Sequence, residues 1–197
     1  VLPLMTACII HPGEYILNNV PILRDTITMA KLLEMVGAHV EINKNSFLIN
    51  TKKCDKPFAP YDLVSTMRAS FYVLGPFMSR FNEAQVSLPG GCAWGPRPVD
   101  FHIKALEKMG AQIDLSDGYI KASGKLKGTN IIFDKSSVGA TGNIMMAAVN
   151  AKGITKIENS ALEPEIDCLM EFLNAMGANI KRDTYNNIIV KGVTKFK

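Results

Sequence analysis

The sequence predicts a closed α/β domain with pseudo-threefold symmetry, in which apolar helices pack inside and sheets cover them. Three observations predict it. A pattern of amphipathic helix, glycine and strand occurs three times along the chain. Each copy is preceded by a helix and a strand and is followed by a second strand. The composition allows a full core, since 47% of the 197 residues are hydrophobic and 20% are charged.

Each repeated helix carries an apolar stripe and ends at a glycine, the residue that most readily takes the left-handed conformation at a helix end. The helix, glycine and strand occupy residues 32–40, 105–113 and 172–180, and the shared glycines are Gly37, Gly110 and Gly177. Units of this size are too long for a solenoid repeat. The three units are therefore expected to close around a common core.

The remaining elements follow the same order in every unit. A first helix is expected at residues 2–10, 61–81 and 139–151, a first strand at 15–17, 84–88 and 154–158, and a last strand at 47–50, 119–123 and 187–191. Asp117-Gly118 is the clearest hairpin turn, and Gly75-Pro76 is expected to kink or end the long middle helix. These elements predict units at about 1–56, 57–128 and 129–197 within a single domain spanning 1–197.

The connector between strand and helix in the second unit is richer in chemistry than a connection needs. Residues 87–100 read Ser-Leu-Pro-Gly-Gly-Cys-Ala-Trp-Gly-Pro-Arg-Pro-Val-Asp. Glycines let the backbone approach a ligand closely. Arg97 offers a fork for carboxylate or phosphate, and Cys92 becomes a nucleophile or proton donor if its pKa is lowered. The connectors at 19–25 and 159–165 contain no double glycine, no thiol and no Arg-Pro-Val-Asp run, so the fold does not require this combination.

Charge and cysteine usage narrow the class of protein. A net charge of +4 with scattered lysines does not argue for nucleic acid. The four cysteines form no CxxC pair and the three histidines lie near no matching ligands, so no metal site is expected. Cys8 and Cys168 lie in apolar helical patterns and are expected to be buried. This cysteine usage fits a reducing compartment.

No segment of the sequence resembles a signal peptide or a membrane span. The sequence begins directly in an apolar helical run without a cap, which is typical of a chain cut from something longer.

Four motifs, in order and with matching spacing, resemble the UDP-N-acetylglucosamine enolpyruvyl transferase (1-carboxyvinyltransferase) family. They are APYDLVSTMRAS at 59–70, LPGGCAWGPRPVD at 88–100, DKSSVGAT at 134–141 and EPE at 163–165. The resemblance covers essentially the whole chain. It implies an inside-out α/β barrel of two such domains, of which this chain would be the one with the cysteine loop. The partner domain, which in the family supplies a catalytic aspartate and further arginines, is absent, so the chain alone is expected to be inactive.

The resemblance also implies a reaction. Family members transfer enolpyruvyl from phosphoenolpyruvate to the 3-hydroxyl of UDP-N-acetylglucosamine, the first committed step of peptidoglycan synthesis. The implied protein is a cytoplasmic transferase and fosfomycin target that serves cell wall biogenesis, cell shape and cell division. Its implied partners are the two substrates and the second domain of the same enzyme. No metal, organic cofactor, nucleic acid or membrane is implied.

Cys92 and Arg97 are the expected catalytic residues. Cys92 is either a loop thiol with no role or a thiolate stabilised by its glycines, Arg97 and the helix start. The resemblance implies that it forms an adduct with phosphoenolpyruvate and is the thiol alkylated by fosfomycin. Because Arg97 precedes Pro98, it does not easily lie inside the helix. It is either a surface ion-pair partner or, as the resemblance implies, a contact to phosphoenolpyruvate and the nucleotide sugar.

Arg68 and Asp100 each have a structural and a functional interpretation. Arg68 lies in an otherwise apolar helix and either snorkels to solvent or faces a cleft. The resemblance implies that it faces the nucleotide sugar. Asp100 either supports the helix dipole or contacts the uridine side of the substrate, with Pro98 and Val99 lining that site. His102 is a weaker candidate and is expected to be structural.

Lys135, Ser137, Val138 and Gly139 precede or open the first helix of the third unit. Ordinary helix capping explains small and polar residues at this place. The same backbone amides can hold a diphosphate, and the resemblance favours that role, with Lys135 as the countercharge.

Two alternatives remain beside this interpretation. A shikimate-pathway enolpyruvyl transferase shares the architecture but lacks the cysteine-bearing loop, so Cys92 and Arg97 discriminate against it. A non-catalytic nucleotide-sugar-binding module is compatible with a chain that lacks the other half of the active site.

Overall fold

The computed structural model describes residues 1–88 and 99–196, apart from the side chain of Arg68. The first third of the chain contains α1 (Leu2–Ala7), β1 (Glu14–Leu17), α2 (Arg24–Val36), β2 (His39–Asn43) and β3 (Ser46–Asn50). The middle third contains β4 (Phe58–Ala59), α3 (Tyr61–Val64), a 3₁₀ helix (Arg68–Val73), α4 (Leu74–Phe81), β5 (Glu83–Ser87), α5 (Asp100–Lys108), β6 (Gln112–Ser116) and β7 (Tyr119–Ser123). The last third contains β8 (Asn130–Ile132), α6 (Val138–Ala148), β9 (Ile154–Glu158), α7 (Pro164–Met176), β10 (Asn179–Arg182) and β11 (Ile188–Lys191).

The strands form three sheets of the same design, with the orders β1-β3-β2, β4-β5-β7-β6 and β10-β11-β9-β8. In each sheet the last strand of the unit lies between the two earlier ones and pairs with both in antiparallel fashion. The predicted repeat of helix, strand, helix, strand and strand is thereby confirmed.

Two edge strands were not predicted. β4 pairs in parallel with β5, and β8 pairs in parallel with β9. They are 2 and 3 residues long. A strand this short shows no alternation of apolar and polar residues, so the sequence contains no periodic signal from which to find it.

The predicted helix ends and hairpin turn are confirmed. Gly37, Gly110 and Gly177 follow α2, α5 and α7 with φ angles of 105°, 97° and 112°. Asp117 and Gly118, with φ angles of 55° and 78°, join β6 to β7. Two consecutive positive φ angles match the type I′ turn that favours a tight hairpin.

The helix α6 forms the centre of the domain. Every residue from 140 to 148 is buried, and α6 packs against α4, α5 and α7. Its residues include Ile144, Met145 and Met146, each fully buried. A helix that is apolar all round belongs in a core, so helices fill the interior and the three sheets cover them, as predicted.

The middle helix differs from the prediction of one helix over 61–81. The chain forms α3, an extended residue at Met67 (φ −145°, ψ 114°), the 3₁₀ helix and then α4. The hydroxyls of Thr66 and Ser70 both donate to the carbonyl of Leu63, at 2.9 and 3.4 Å. Hydroxyls that bond nearby carbonyls compete with helix continuation. Pro76 lies in the first turn of α4, where a missing N–H costs no helical hydrogen bond.

Arg80, in the last turn of α4, fastens this helix to the loops of the first unit. Its guanidinium donates to the carbonyls of Ile9, Thr51 and Cys54, each at 3.0 Å. It also lies 5.0 Å from the ring centroid of Phe81. Burial lowers the pKa of Arg80. The guanidinium nevertheless suits this place, because its five N–H donors can supply all three carbonyls at once.

The cysteines divide between core and surface. Cys8 is fully buried and its Sγ donates to the carbonyl of Leu4 at 3.3 Å. Burial raises the pKa of Cys8, and it raises that of Cys54 to about 11. The prediction that Cys168 is buried is wrong, because it is exposed. The buried stripe of α7 consists of Ile166, Leu169, Leu173 and Met176, and Cys168 lies off that stripe.

Within residues 1–88 and 99–196, no helix has both the length and the apolar character needed to cross a membrane. The same part of the chain contains no cluster of three or more histidine, cysteine or acidic residues suited to a metal ion.

Candidate active-site face

The strand β5 ends at Ser87 and α5 begins at Asp100, and the chemically rich connector lies between them. Cys92, Arg97 and Pro98 lie outside the described residues. The backbone of Arg68 opens the 3₁₀ helix, while its side chain is not described. The structure thus gives the borders of the connector and leaves the roles of these four residues as predictions.

Val99 and Asp100 open α5. Val99 caps the helix with φ −84° and ψ −4°, and Asp100 is its first residue. The Asp100 carboxylate lies 3.7 Å from the ammonium of Lys104 through Oδ2. Its Oδ1 is buried and accepts no hydrogen bond from the described residues. A buried acceptor without a donor is costly, so this atom is available to a donor from the connector or from a ligand.

The N-terminus of α6 has the features of an anion site. Ser137 caps the helix, and its Oγ accepts from the amide of Ala140 at 3.3 Å. The amides of Val138 and Gly139, in the first turn, have no partner inside the helix because of helix geometry. The first turn contains no acidic residue. Lys135 is exposed just before it, so a cation lies close in sequence to a helix start whose amides and dipole favour an anion.

The side chain of Asn143 connects four elements of this face. Its Oδ1 accepts from the backbone N–H of Gly75 at 2.7 Å, and its Nδ2 donates to the carbonyl of Phe71 at 3.0 Å. Nδ2 also lies 3.2 Å from Nδ1 of His102. The amide thereby joins the 3₁₀ helix, α4, α5 and α6. One buried side chain therefore links the three elements whose first residues form this face, the 3₁₀ helix, α5 and α6.

His102 is 8% exposed and packs edge-on against Phe71, with ring centroids 4.9 Å apart. Burial lowers its pKa from 6.5 to about 4, although the nearby charge of Asp100 acts in the opposite direction. The imidazole is therefore neutral near pH 7. The sequence indicated a structural role for His102, and its repeat and motifs did not single out Asn143. The available signal was an asparagine within the apolar run Gly142 to Val149.

In the first and third units, hydrogen bonds to neighbouring elements hold the equivalent connectors in place. In the third unit, Arg182 donates to the carbonyl of Ala161 at 2.8 Å and to Asp167 at 2.7 Å. The amide of Ala161 also donates to Oγ1 of Thr141, at 3.0 Å. In the first unit, the amide of Val20 donates to a carbonyl of the β2–β3 turn at 2.8 Å. These contacts are structural, which agrees with the absence of a thiol and of a double glycine from both connectors.

Three sheets around buried helices, with α6 at the centre, define one domain of an inside-out α/β barrel. The model of the EPSP synthase (3-phosphoshikimate 1-carboxyvinyltransferase) family matches residues 1–197. The chain belongs to this family.

Curated relatives support the resemblance found in the motifs. The chain is 48% identical over 200 residues to UDP-N-acetylglucosamine 1-carboxyvinyltransferase of Chlorobaculum parvum, covering 100% of this chain and 47% of that protein. It is 50% identical over 196 residues to the protein of the same name from Yersinia pestis, covering 98% and 47%. The chain thus spans about half the length of the curated relatives it matches.

Solved structures confirm the fold. The enolpyruvyl transferase NikO from Streptomyces tendae superposes with a TM-score of 0.85 at 19% identity, over 98% of this chain and 46% of that one. EPSP synthase from Acinetobacter baumannii superposes with a TM-score of 0.73 at 18% identity, over 98% and 45%. At identities of 18–19%, these superpositions support the fold and do not identify a substrate.

Proposed function

We propose that this chain forms the cysteine-loop half of a UDP-N-acetylglucosamine 1-carboxyvinyltransferase. The observation that carries the proposal is identity of about half the residues over the whole chain to two proteins of that name. The motif at 88–100, which includes Cys92 and Arg97, supports it against the shikimate-pathway alternative. Because the chain spans about half of each relative, the active site would require a second domain, and the chain alone would be inactive.

The nucleotide sugar would lie across the starts of three elements. The amides of Val138 and Gly139, the cap Ser137 and the cation Lys135 suit the diphosphate. Val99 and Asp100 at the start of α5, together with Pro98, would meet the uridine. Arg68, at the start of the 3₁₀ helix, would face the same ligand. The Asn143 side chain supports this assignment because it links the three elements.

The reaction would proceed by addition and elimination. A base removes the proton of the sugar 3-hydroxyl, whose oxygen bonds to C2 of phosphoenolpyruvate while an acid adds a proton to C3. The tetrahedral adduct then loses phosphate from C2 and a proton from C3, which restores the double bond. We assign Cys92 to the acid step or to product release, and Arg97 to opposing the anionic charge that gathers at the phosphate and carboxylate.

Reconstitution tests the proposal. The chain is mixed with the remaining half of a relative, and phosphate release from phosphoenolpyruvate is measured with UDP-N-acetylglucosamine as acceptor. Release is expected only with both halves present, and Cys92→Ser is expected to slow it on the order of 100-fold, the lower range for a lost general acid. Release with 3-phosphoshikimate in place of the nucleotide sugar would overturn the proposal in favour of the other branch of the family.

A second candidate function is a nucleotide-sugar-binding module without catalysis. The observation that favours it is the N-terminus of α6, where Ser137 caps the helix and the first turn carries no acidic residue, because these anion-binding features need no residue of another domain. Calorimetric titration with UDP-N-acetylglucosamine separates the two. Tight binding by the chain alone, unchanged by Cys92→Ser, would favour the module, whereas activity on reconstitution would favour the transferase.

The wider setting follows from the proposed reaction. A peptidoglycan precursor enzyme would act in the cytoplasm, contribute to cell wall biogenesis, cell shape and cell division, and be a target of fosfomycin through Cys92. The unpaired, buried thiols of Cys8 and Cys54 support a reducing compartment.

A further inference from the structure

A small polar cavity lies at the C-terminal ends of the two central helices, α4 and α6. It has a volume of about 130 Å³ and is bordered by the last turns of these helices and by the segment that follows β7. Because α6 contains 11 residues, its two ends lie roughly 15 Å apart at 1.5 Å per residue. The cavity is therefore separate from the candidate active-site face, which lies at the N-terminal end of α6.

The hydroxyl of Ser79 is a buried polar group without a partner. Ser79 is 7% exposed, and its Oγ forms no hydrogen bond with the described residues. A buried hydroxyl that is left unbonded is costly, so each such group in a native fold needs a physical explanation. Since Ser79 lines the cavity, a ligand bound there would supply the partner that its hydroxyl lacks.

Asn150, just after α6, brings a second neutral donor to the same cavity. Its Nδ2 donates to the carbonyl of Ser79 at 3.1 Å, and this bond holds the side chain beside α4. Among the described residues Nδ2 makes this one hydrogen bond, although a side-chain amide has two donor hydrogens. The second hydrogen is therefore available to a ligand.

Two exposed lysines, Lys125 and Lys152, border the cavity, and none of the described residues that line it is acidic. Within the described ranges, the lysines that form ion pairs are Lys104, Lys121 and Lys156. Helix C-termini attract cations, which accounts for lysines near the ends of α4 and α6 but not for the unbonded hydroxyl beside them. A hydroxyl, an amide N–H and two ammonium groups form a donor set that suits an anion.

We propose that this cavity binds a small oxyanion, with Ser79 and Asn150 as neutral donors and Lys125 and Lys152 as countercharges. The volume equals that of about four waters at roughly 30 Å³ each, which suits phosphate or a short carboxylate. The site is independent of the proposed enolpyruvyl transfer, because none of its residues belongs to the candidate active-site face. A bound anion would connect the ends of α4 and α6 to the segment after β7 and thereby stabilise the domain.

Amide NMR of this chain tests the site with inorganic phosphate and with acetate, each added at constant ionic strength against potassium chloride. The amides of Ser79, Leu126, Asn150 and Ala151 are expected to shift together along one saturating curve. Saturation by either anion supports the inference, and the ratio of the two dissociation constants identifies the preferred anion geometry. The absence of a saturating shift at these residues with both anions would overturn it.

Three variants separate a built site from general attraction of anions to a basic surface. The dissociation constant of the bound anion is expected to rise about five- to tenfold in Ser79→Ala and in Lys152→Gln, the range for one lost hydrogen bond or charge contact. Lys127→Gln is the matched control, because Lys127 is exposed on the same segment but does not line the cavity. It is expected to change the constant by less than about twofold. Equal effects of K127Q and K152Q, or an unchanged affinity of S79A, would overturn the inference.

Thermal unfolding provides a second readout for Ser79. Because the removed hydroxyl has no partner among the described residues, S79A is expected to unfold within about 2 °C of the unmodified chain when no anion is added. The anion is expected to raise the unfolding temperature of the unmodified chain by more than that of S79A. A larger loss in S79A without the anion would show that the hydroxyl bonds within the protein, and the inference would be overturned.

Discussion

The backbone N–H of Gly75 donates to Oδ1 of Asn143 at 2.7 Å, and this bond brings α4 into direct contact with α6 at the centre of the domain. No side chain fits between them, because a Cβ on Gly75 would collide with the backbone carbonyl of Asn143. The contact therefore depends on glycine for close approach and on asparagine for the acceptor.

Gly75→Ala is expected to lower the free energy of unfolding by about 2 kcal/mol or more, because backbone atoms must move apart to admit the methyl group. Urea unfolding followed by circular dichroism measures the change. Gly139→Ala is the matched control, since its Cβ would meet the His102 ring at an ordinary 3.7 Å. Equal stability of the two variants would contradict the close contact.

Replacing Arg80 with methionine keeps an unbranched side chain but removes the donors to Ile9, Thr51 and Cys54. The free energy of unfolding is expected to fall by roughly 2–4 kcal/mol, because partly buried carbonyls lose a charged donor. Arg24→Met, at an exposed position, is expected to change it by less than about 0.5 kcal/mol. An equal loss of unfolding free energy in both variants would show that the hydrogen bonds of Arg80 do not stabilise the fold.

The buried His102 makes the stability of the domain depend on pH. Its pKa falls from 6.5 in the unfolded chain to about 4 in the fold. Between these values the unfolded state binds more protons, so stability decreases as pH falls from 6.5 to 4 and the effect is absent above pH 7.

The size of this effect is about 3 kcal/mol at pH 4. It is measured as the difference in the free energy of unfolding between the unmodified chain and His102→Gln at each pH, which removes the contribution of other groups. A difference that stays constant from pH 7 to pH 4 would show that the imidazole takes up its proton at the same pH in the folded and the unfolded chain.

The thiols are expected to react in the order set by their surroundings. Iodoacetamide is expected to modify the exposed Cys168 at least about tenfold faster than Cys8 or Cys54, whose pKa values are raised by burial. Peptide mass mapping over time gives the rates. Comparable rates at all three cysteines in the folded chain would contradict the described burial.

Fosfomycin is expected to label Cys92 only when the remaining half of a relative is added, because the proposed site lies between two domains. Mass mapping of the chain with and without that half measures the labelling, and Cys168 serves as the internal thiol that fosfomycin leaves unmodified. Equally fast labelling of Cys92 in the isolated chain would show that one half suffices.

Local signals in the sequence predicted the fold well where a single residue decides the local conformation. Gly37 and Gly177 end their helices with positive φ angles, and the Asp117-Gly118 turn joins β6 to β7. The middle helix was predicted wrongly, because its break depends on hydroxyl bonds to the carbonyl of Leu63 that periodicity does not show. Cys168 was misplaced because an apolar residue in an amphipathic helix need not lie on its buried stripe.

The candidate site was predicted in part. Ser137 does cap α6 and Asp100 does open α5, as their positions in the sequence indicated. The Asn143–His102 pair was missed because its partners lie 41 residues apart. A buried polar pair of this kind becomes recognisable only when the fold places a backbone donor and a backbone acceptor on either side of one amide.

The burial of α6 on all sides has a consequence for how the domain folds and can be divided. This helix belongs to the third unit, yet it packs on α4 and α5 of the second, and its Met146 sulfur lies 3.9 Å from the hydroxyl oxygen of Thr6 in the first. A fragment ending before residue 138 would lose its interior. The threefold repeat is therefore a symmetry of shape without modular independence, and unfolding should occur as a single cooperative transition rather than unit by unit.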